Sequence, residues 1–175
     1  MSKQRFKFVA AVAVVVERAD GKILVQKRKG TFADGFYMLP TGHVDGGETT
    51  AEAMARELKE ETGIEVFPGD LELFHMSHSA YDTTDELITF FFRTDNYHGE
   101  GVNQEPDKCS ALEWVDPKKL PQPFLIHAAH AIRVMDDGMF EMASYPLKPR
   151  VNVLQLTALN QRTTAPKPPK LPGLE

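Results

Sequence analysis

Residues 42–64 read GHVDGGETTAEAMARELKEETGI, and the fold turns on how this stretch is read. Thr49, followed three residues later by Glu52, forms a capping-box pattern that predicts a helix start. The helix is predicted over Thr50–Thr62, with Gly63 as its left-handed stop. At about 100° per residue, Glu57, Glu60 and Glu61 share one stripe of this helix. Ala51, Met54, Ala55 and Leu58 lie on a different stripe, one suited to packing against a sheet. Three carboxylates this close repel one another unless water or a cation neutralises them. Hard divalent cations such as Mg²⁺ take oxygen ligands and often share carboxylates with substrate phosphates. On the helix alone, a solvated acidic face is the favoured reading of the pattern.

Outward from the helix, the flanking segments read as strands. Phe8–Glu17 is rich in β-branched residues, Arg18–Gly21 is a turn, and Lys22–Arg28 is the expected hairpin partner. Lys29–Phe36 and the Gly-rich Thr41–Glu48 read as loops around a short strand, Tyr37–Leu39, which Pro40 stops. Further strands are predicted over Ile64–Phe67, Leu71–Ser79, Glu86–Thr94 and Ser110–Val115. A polar loop is expected over Tyr97–Asp107, and a second helix over Phe124–Met135 with its end near Gly138. Strands on both sides of a central helix, with another helix near the end, predict a mixed α/β sandwich, and the order alone leaves its topology open. One domain over residues 1–145 is expected, with a C-terminal extension over 146–175. The end of that extension, Thr164–Glu175, is rich in Pro and Lys and reads as extended and flexible.

The full spacing adds what the helix cannot. Gly42, five residues, Glu48, seven residues, then Arg56-Glu57-Leu58-Lys59-Glu60-Glu61-Thr62-Gly63-Ile64 resembles the Nudix box at each defined position. The resemblance implies a Nudix fold, an α+β (α/β) sandwich with a mixed β-sheet between α-helices, and Mg²⁺-dependent hydrolysis of a phosphoanhydride bond, with Mn²⁺ as a substitute. It implies Glu57, Glu60 and Glu61 as metal ligands, joined by the backbone carbonyl of Gly42. Glu48 and Arg56 resemble the pair that ties the loop to the helix, while Gly42 and Gly63 fit backbone roles as a tight loop and a helix stop. The general base is left open between Glu57 and a loop acid such as Glu105.

A second pattern, Asn103-x-Glu105-Pro106-x-Lys108-Cys109 followed by Trp114 and Leu120-Pro121, resembles the MutT-like subgroup. That resemblance implies conversion of a (d)NTP to a (d)NMP and pyrophosphate. ADP-ribose or a nucleotide sugar is the alternative substrate, and a non-catalytic nucleotide-binding module the alternative class. Arg28 and Lys27, at a strand end just before the loop, are candidate partners for substrate phosphates. His43, next to Gly42, is a candidate substrate contact. His127 and His130 at i and i+3 read as packing or surface histidines, because no further ligand stands at zinc-like spacing. His75 and His78 read as ordinary strand residues. Cys109 has no neighbouring His to activate it and reads as structural. Phe90–Phe92 reads as core on alternate faces, with a ring available to stack on a base.

Bulk properties set the remaining expectations. The chain has 175 residues, 42% of them hydrophobic, which suffices for a core without staples. A single cysteine rules out an internal disulfide and fits a reducing compartment, so a cytoplasmic location is expected. Basic residues precede an apolar run at Phe8–Val16, but no convincing cleavage site follows and the run is too short for a membrane span. The net charge of −5 disfavours a nucleic-acid polymer as partner but not a small anionic substrate. The expected partner is therefore a small-molecule nucleotide, with no membrane contact. Both a monomer and a homodimer are compatible with the sequence.

Overall fold

The computed structural model describes residues 6–30, 32–80, 86–137 and 141–144, with the backbone alone for residues 80 and 141–144. The expected extension over 146–175 and the expected helix stop at Gly138 lie outside the described residues.

Strand β1 (Val9–Val16) is apolar on both faces, and its last six residues are all buried. A strand with no polar face belongs in the middle of a sheet covered on both sides. It lies between β4 (Thr41–His43), antiparallel, and β6 (Glu86–Thr94), parallel. Next to β6 come β5 (Glu72–Ala80), antiparallel, and β8 (Glu141–Ser144), parallel to β5. The five strands form one mixed sheet in the order β4-β1-β6-β5-β8. A second sheet holds β3 (Tyr37–Met38), β2 (Ile23–Arg28) and β7 (Cys109–Val115), all antiparallel.

Side-chain alternation along β1 divides the interior in two. Val12, Val14 and Val16 pack with Met54, Leu58, Ile64 and Phe92 beneath helix α1 (Thr50–Thr62). Ala13 and Val15 pack on the opposite face with Phe91, Ala128 and Ile132, where helix α2 (Ile126–Val134) docks. This is the expected mixed sheet between helices. No helix among the described residues is long and apolar enough to cross a membrane.

Four local expectations need correction. The Arg18–Gly21 turn is present, with the Arg18 amide donating to the Lys22 carbonyl at 2.8 Å. The hairpin, however, goes no further than one bridge, Glu17 to Ile23. Both edges of β1 are taken by β4 and β6, so β2 swings into the other sheet. Part of the Gly-rich loop, Thr41–His43, is strand rather than coil because it pairs with β1. Ile64–Phe67 forms only an isolated bridge, Glu65 with His98, before a 3₁₀ turn at Pro68–Asp70. Ile64 is drawn into the α1 core, and Pro68 has no N–H to extend a ladder. Helix α2 begins at Ile126 rather than Phe124, whose backbone bridges Tyr37. Strand β8 lacks the hydrophobic signal that would have revealed it in the sequence.

Candidate active site

Loop and helix are locked together from the N-terminus of α1. The Thr49 hydroxyl accepts from the Glu52 amide at 3.2 Å, and the Glu52 carboxylate accepts from the Thr49 amide at 2.7 Å. At the far end, Gly63 stands at φ 70° and its amide donates to the Lys59 carbonyl at 2.9 Å. A residue with a side chain would be strained in that left-handed conformation.

Arg56 is the hub of the segment. Its guanidinium makes a two-pronged pair with Glu48, Nη2 to Oε1 at 2.8 Å and Nε to Oε2 at 3.2 Å. The same Nη2 donates to the His43 carbonyl at 3.0 Å. Nη1 reaches Glu57 Oε1 at 2.9 Å and Glu60 Oε2 at 3.5 Å. This planar fork ties the residues before the helix to its third turn. Arg56 holds the Glu48 carboxyl below its usual range, helped by the Asp45 amide. Glu48 and then Glu57 raise the Arg56 pKa in turn.

Glu61 is the most perturbed acid of the site. It is 8% exposed, and burial is the main reason its carboxyl is pushed up to about 7. The Gln26 amide partly offsets this, donating to both carboxylate oxygens at 3.2 and 3.3 Å, as does the Thr41 amide at 3.0 Å. The charges of Glu57 and Glu105 raise it further. Gly42 packs against Glu57 so closely that a Cβ at position 42 would collide with the carboxyl group.

A cleft of about 460 Å³ brings together Arg28, Gly42, His43, Glu57, Glu61 and Glu105 from four separate segments. Glu105 reaches it from the polar loop, with its carboxylate 2.6 Å from the Lys108 ammonium. Arg28 presents a guanidinium whose Nε is buried without a hydrogen-bond partner among the described residues. Glu60 does not line the cleft; its side chain is 58% exposed and joins the cluster through Arg56. Nor does Lys27 line it, its ammonium lying 5.4 Å from the centre of the Tyr37 ring.

The donor set suits a hard cation, since every candidate ligand offers oxygen and the buried Glu61 carboxylate gains from a positive partner. Among the described residues the carboxylates are not gathered into a ready metal cluster. Arg56 holds Glu57 and Glu60, and Gln26 holds Glu61.

Sequence reasoning overlooked Gln26, Thr89 and the nearness of His127 to the cleft. Gln26 had a signal, as the uncharged polar residue of an otherwise apolar run, Ile23–Val25. His127 read as packing and is 8% exposed, yet it also lines the cleft. Of the other residues set aside, His78 pairs with Glu86 at 2.9 Å, and burial raises the Cys109 thiol pKa.

A strand–loop–helix unit whose Glu57 and Glu61 line one cleft with Glu105 and Arg28 suits chemistry on an anionic group. The NUDIX domain model matches residues 7–136, and the chain belongs to the Nudix family. Hydrolases of this family generally use divalent metal ions. The chain is 36% identical over 125 residues to an ADP-ribose pyrophosphatase of Methanocaldococcus jannaschii, covering 70% of this chain and 71% of that protein. It is 30% identical over 126 residues to a MutT-like protein of Streptomyces ambofaciens, with 72% and 74% covered. Among solved structures, the MutT NUDIX hydrolase of Burkholderia pseudomallei superposes with a TM-score of 0.68 at 28% identity, over 73% of this chain and 98% of that one.

Proposed function

We propose that this Nudix hydrolase splits a phosphoanhydride bond of a nucleotide with Mg²⁺, Mn²⁺ serving as a substitute, and that its substrate is a (d)NTP cleaved to (d)NMP and pyrophosphate. The observation that carries this reading is the convergence of Glu57, Glu61 and Glu105 on one cleft facing Arg28. Glu57, Glu60, Glu61 and the Gly42 carbonyl would hold the cation. A divalent ion there would neutralise phosphate charge and lower the pKa of a water bound to it.

The chain's own residues supply the rest. Arg28 pairs with a phosphate oxygen, which satisfies its buried Nε. Arg56 bonds both Glu48 and the His43 carbonyl and so ties the loop after Gly42 to α1, whose Glu57 and Glu61 line the cleft. Glu105 comes from a loop outside the helix and acts as proton acceptor for the attacking water. Lys108 holds Glu105 in place through their ion pair.

The similarity to a named ADP-ribose pyrophosphatase favours a second reading, hydrolysis of ADP-ribose to AMP and ribose 5-phosphate. Incubation with Mg²⁺ and a panel of nucleotides, followed by separation of products, decides between them. Pyrophosphate from NTPs supports the first reading and AMP from ADP-ribose the second. No product from any nucleotide with Mg²⁺ or Mn²⁺ refutes both. Replacing Glu105 and Glu57 singly by Gln, and comparing residual rates at saturating metal, tests the proton acceptor.

A further inference from the structure

The loop between β6 and β7 carries Glu105, with Asn103 two residues before it. This loop is fixed at two places. At one of them it docks on the C-terminal end of α1, where helix carbonyls have no partner inside the helix. The Val102 amide donates to the Thr62 carbonyl at 2.7 Å, and the Gln104 amide donates to the Glu61 carbonyl at 3.0 Å. At its end the loop enters β7 at Cys109, which pairs with Arg28 on β2. One anchor thus belongs to the helix of the acids and the other to the strand of the guanidinium.

Asn103 bridges the two anchors. Its side-chain oxygen accepts from the Glu105 amide at 3.0 Å, and its side-chain nitrogen donates to the Cys109 carbonyl at 2.8 Å. Within the arc closed in this way, the Glu105 carbonyl accepts from the Lys108 and Cys109 amides, both at 2.9 Å. Both backbone groups of Glu105 are therefore engaged, and Pro106 after it has a fixed φ. Closing the arc takes one donor and one acceptor on a short side chain. A carboxamide has both, whereas an ionised aspartate lacks the donor and an alanine lacks both. That is the chemical reason for an asparagine at the head of the Asn103-x-Glu105 pattern.

The closed arc sets where the Glu105 side chain leaves the loop. Glu105 lines the cleft with Glu57 and Glu61, and its charge is felt at the buried Glu61 carboxyl. The Lys108 ion pair adds to this, but Lys108 is exposed, and exposed pairs contribute little. A flexible lysine also follows a carboxylate that moves, whereas Asn103 fixes the backbone that carries it. Such precision matters, because a misplacement of about 1 Å in a reacting group can lower a rate by roughly 100-fold.

Resting on the reading of Glu105 as proton acceptor beside a divalent ion, we propose that Asn103 is the positioning residue that holds Glu105 toward the acidic end of the cleft, in step with α1. Glu61 then serves twice: its carboxylate lines the cleft, and its carbonyl holds the loop that brings Glu105 there.

One arm of the test needs no turnover. Mn²⁺ broadens the NMR signals of amides near it, and spectra of the full chain read this at Glu57, Glu61 and Glu105. All three broaden in the wild type, while in Asn103→Ala the effect at Glu105 falls by about half or more and the other two keep theirs. The second arm is kinetic, with a nucleotide that the wild type cleaves. Asn103→Ala lowers kcat by about tenfold and leaves KM and Mn²⁺ affinity within about twofold. In a Glu105→Gln background the same substitution costs less than about twofold more, because nothing is left to position. Asn103→Ser, whose hydroxyl accepts from the amide two residues on, regains part of the rate, with the urea midpoint reporting that the fold is kept. An unchanged Glu105 signal in Asn103→Ala, or a tenfold loss that persists in Glu105→Gln, overturns the proposal alone. No broadening at Glu57 and Glu61 in the wild type refutes the metal reading and the proposal together. Should the broadening behave as expected while no nucleotide is cleaved, the hydrolysis reading fails and the positioning of Glu105 by Asn103 stands.

Discussion

Replacing Glu61 by Gln should make the metal-free protein more stable at alkaline pH while abolishing its activity. Burial holds the Glu61 carboxyl near 7, against an ordinary value of 4.5. The folded state therefore keeps this proton to higher pH than the unfolded chain does. Where the native state binds more protons, stability falls as pH rises. The loss begins near pH 4.5 and is complete just above pH 7. At about 1.4 kcal/mol per pKa unit, it reaches ~3 kcal/mol by pH 8. Gln removes the charge and keeps an acceptor for the Thr41 amide. Its own NH₂, however, faces the Gln26 amide, which donates to both Glu61 oxygens and to the Leu39 carbonyl. That clash of donors costs about 1 kcal/mol. The net expectation in EDTA is a gain of ~2 kcal/mol at pH 8. At pH 4.5, where Glu61 is already neutral in the fold, the sign reverses to a small loss. Urea unfolding at the two pH values, followed by tryptophan fluorescence, reads both numbers. A variant no more stable than the wild type at pH 8, or a difference independent of pH, would refute the burial argument.

Other expectations follow from single contacts. Gly42→Ala drives a methyl group into the Glu57 carboxyl, so the substitution should remove activity and lower the thermal midpoint; unchanged activity would mean that loop and helix are not held as close as described. Glu60 is largely exposed, so Glu60→Gln should leave stability within ~0.5 kcal/mol. Turnover should nonetheless fall by orders of magnitude, and retained turnover would take Glu60 out of the proposed ligand set. Thr49→Ala removes the hydroxyl of the capping box and should lower stability by ~1 kcal/mol, with activity falling only as the helix start frays. Circular dichroism melts beside initial rates separate those two effects.

Much of this protein is local and therefore legible along the chain. The Thr49–Glu52 box and Gly63 act within a few residues, and α1 starts and stops where they place it. The β-prone run at Glu86–Thr94 is likewise a strand with the expected ends. The spacing from Gly42 to Ile64 was legible because Gly42, Glu48, Arg56 and Glu57 meet one another within a single strand–loop–helix unit. Strand partnership was not legible: the turn at Arg18–Gly21 is real, yet β1 and β2 belong to different sheets. A turn acts over four residues, whereas pairing depends on which distant edges compete for the strand. The same limit applied to the cleft. Gln26 against Glu61, and Thr89 in line with Ala11 and His43, are meetings between residues far apart in sequence. Helix geometry carried by the sequence alone put three acids on one stripe. Only the tertiary structure decided that Glu61 is buried against Gln26 and that Glu60 stays in solvent. Burial and cross-strand register are set by packing between elements, and no local pattern of residues encodes them.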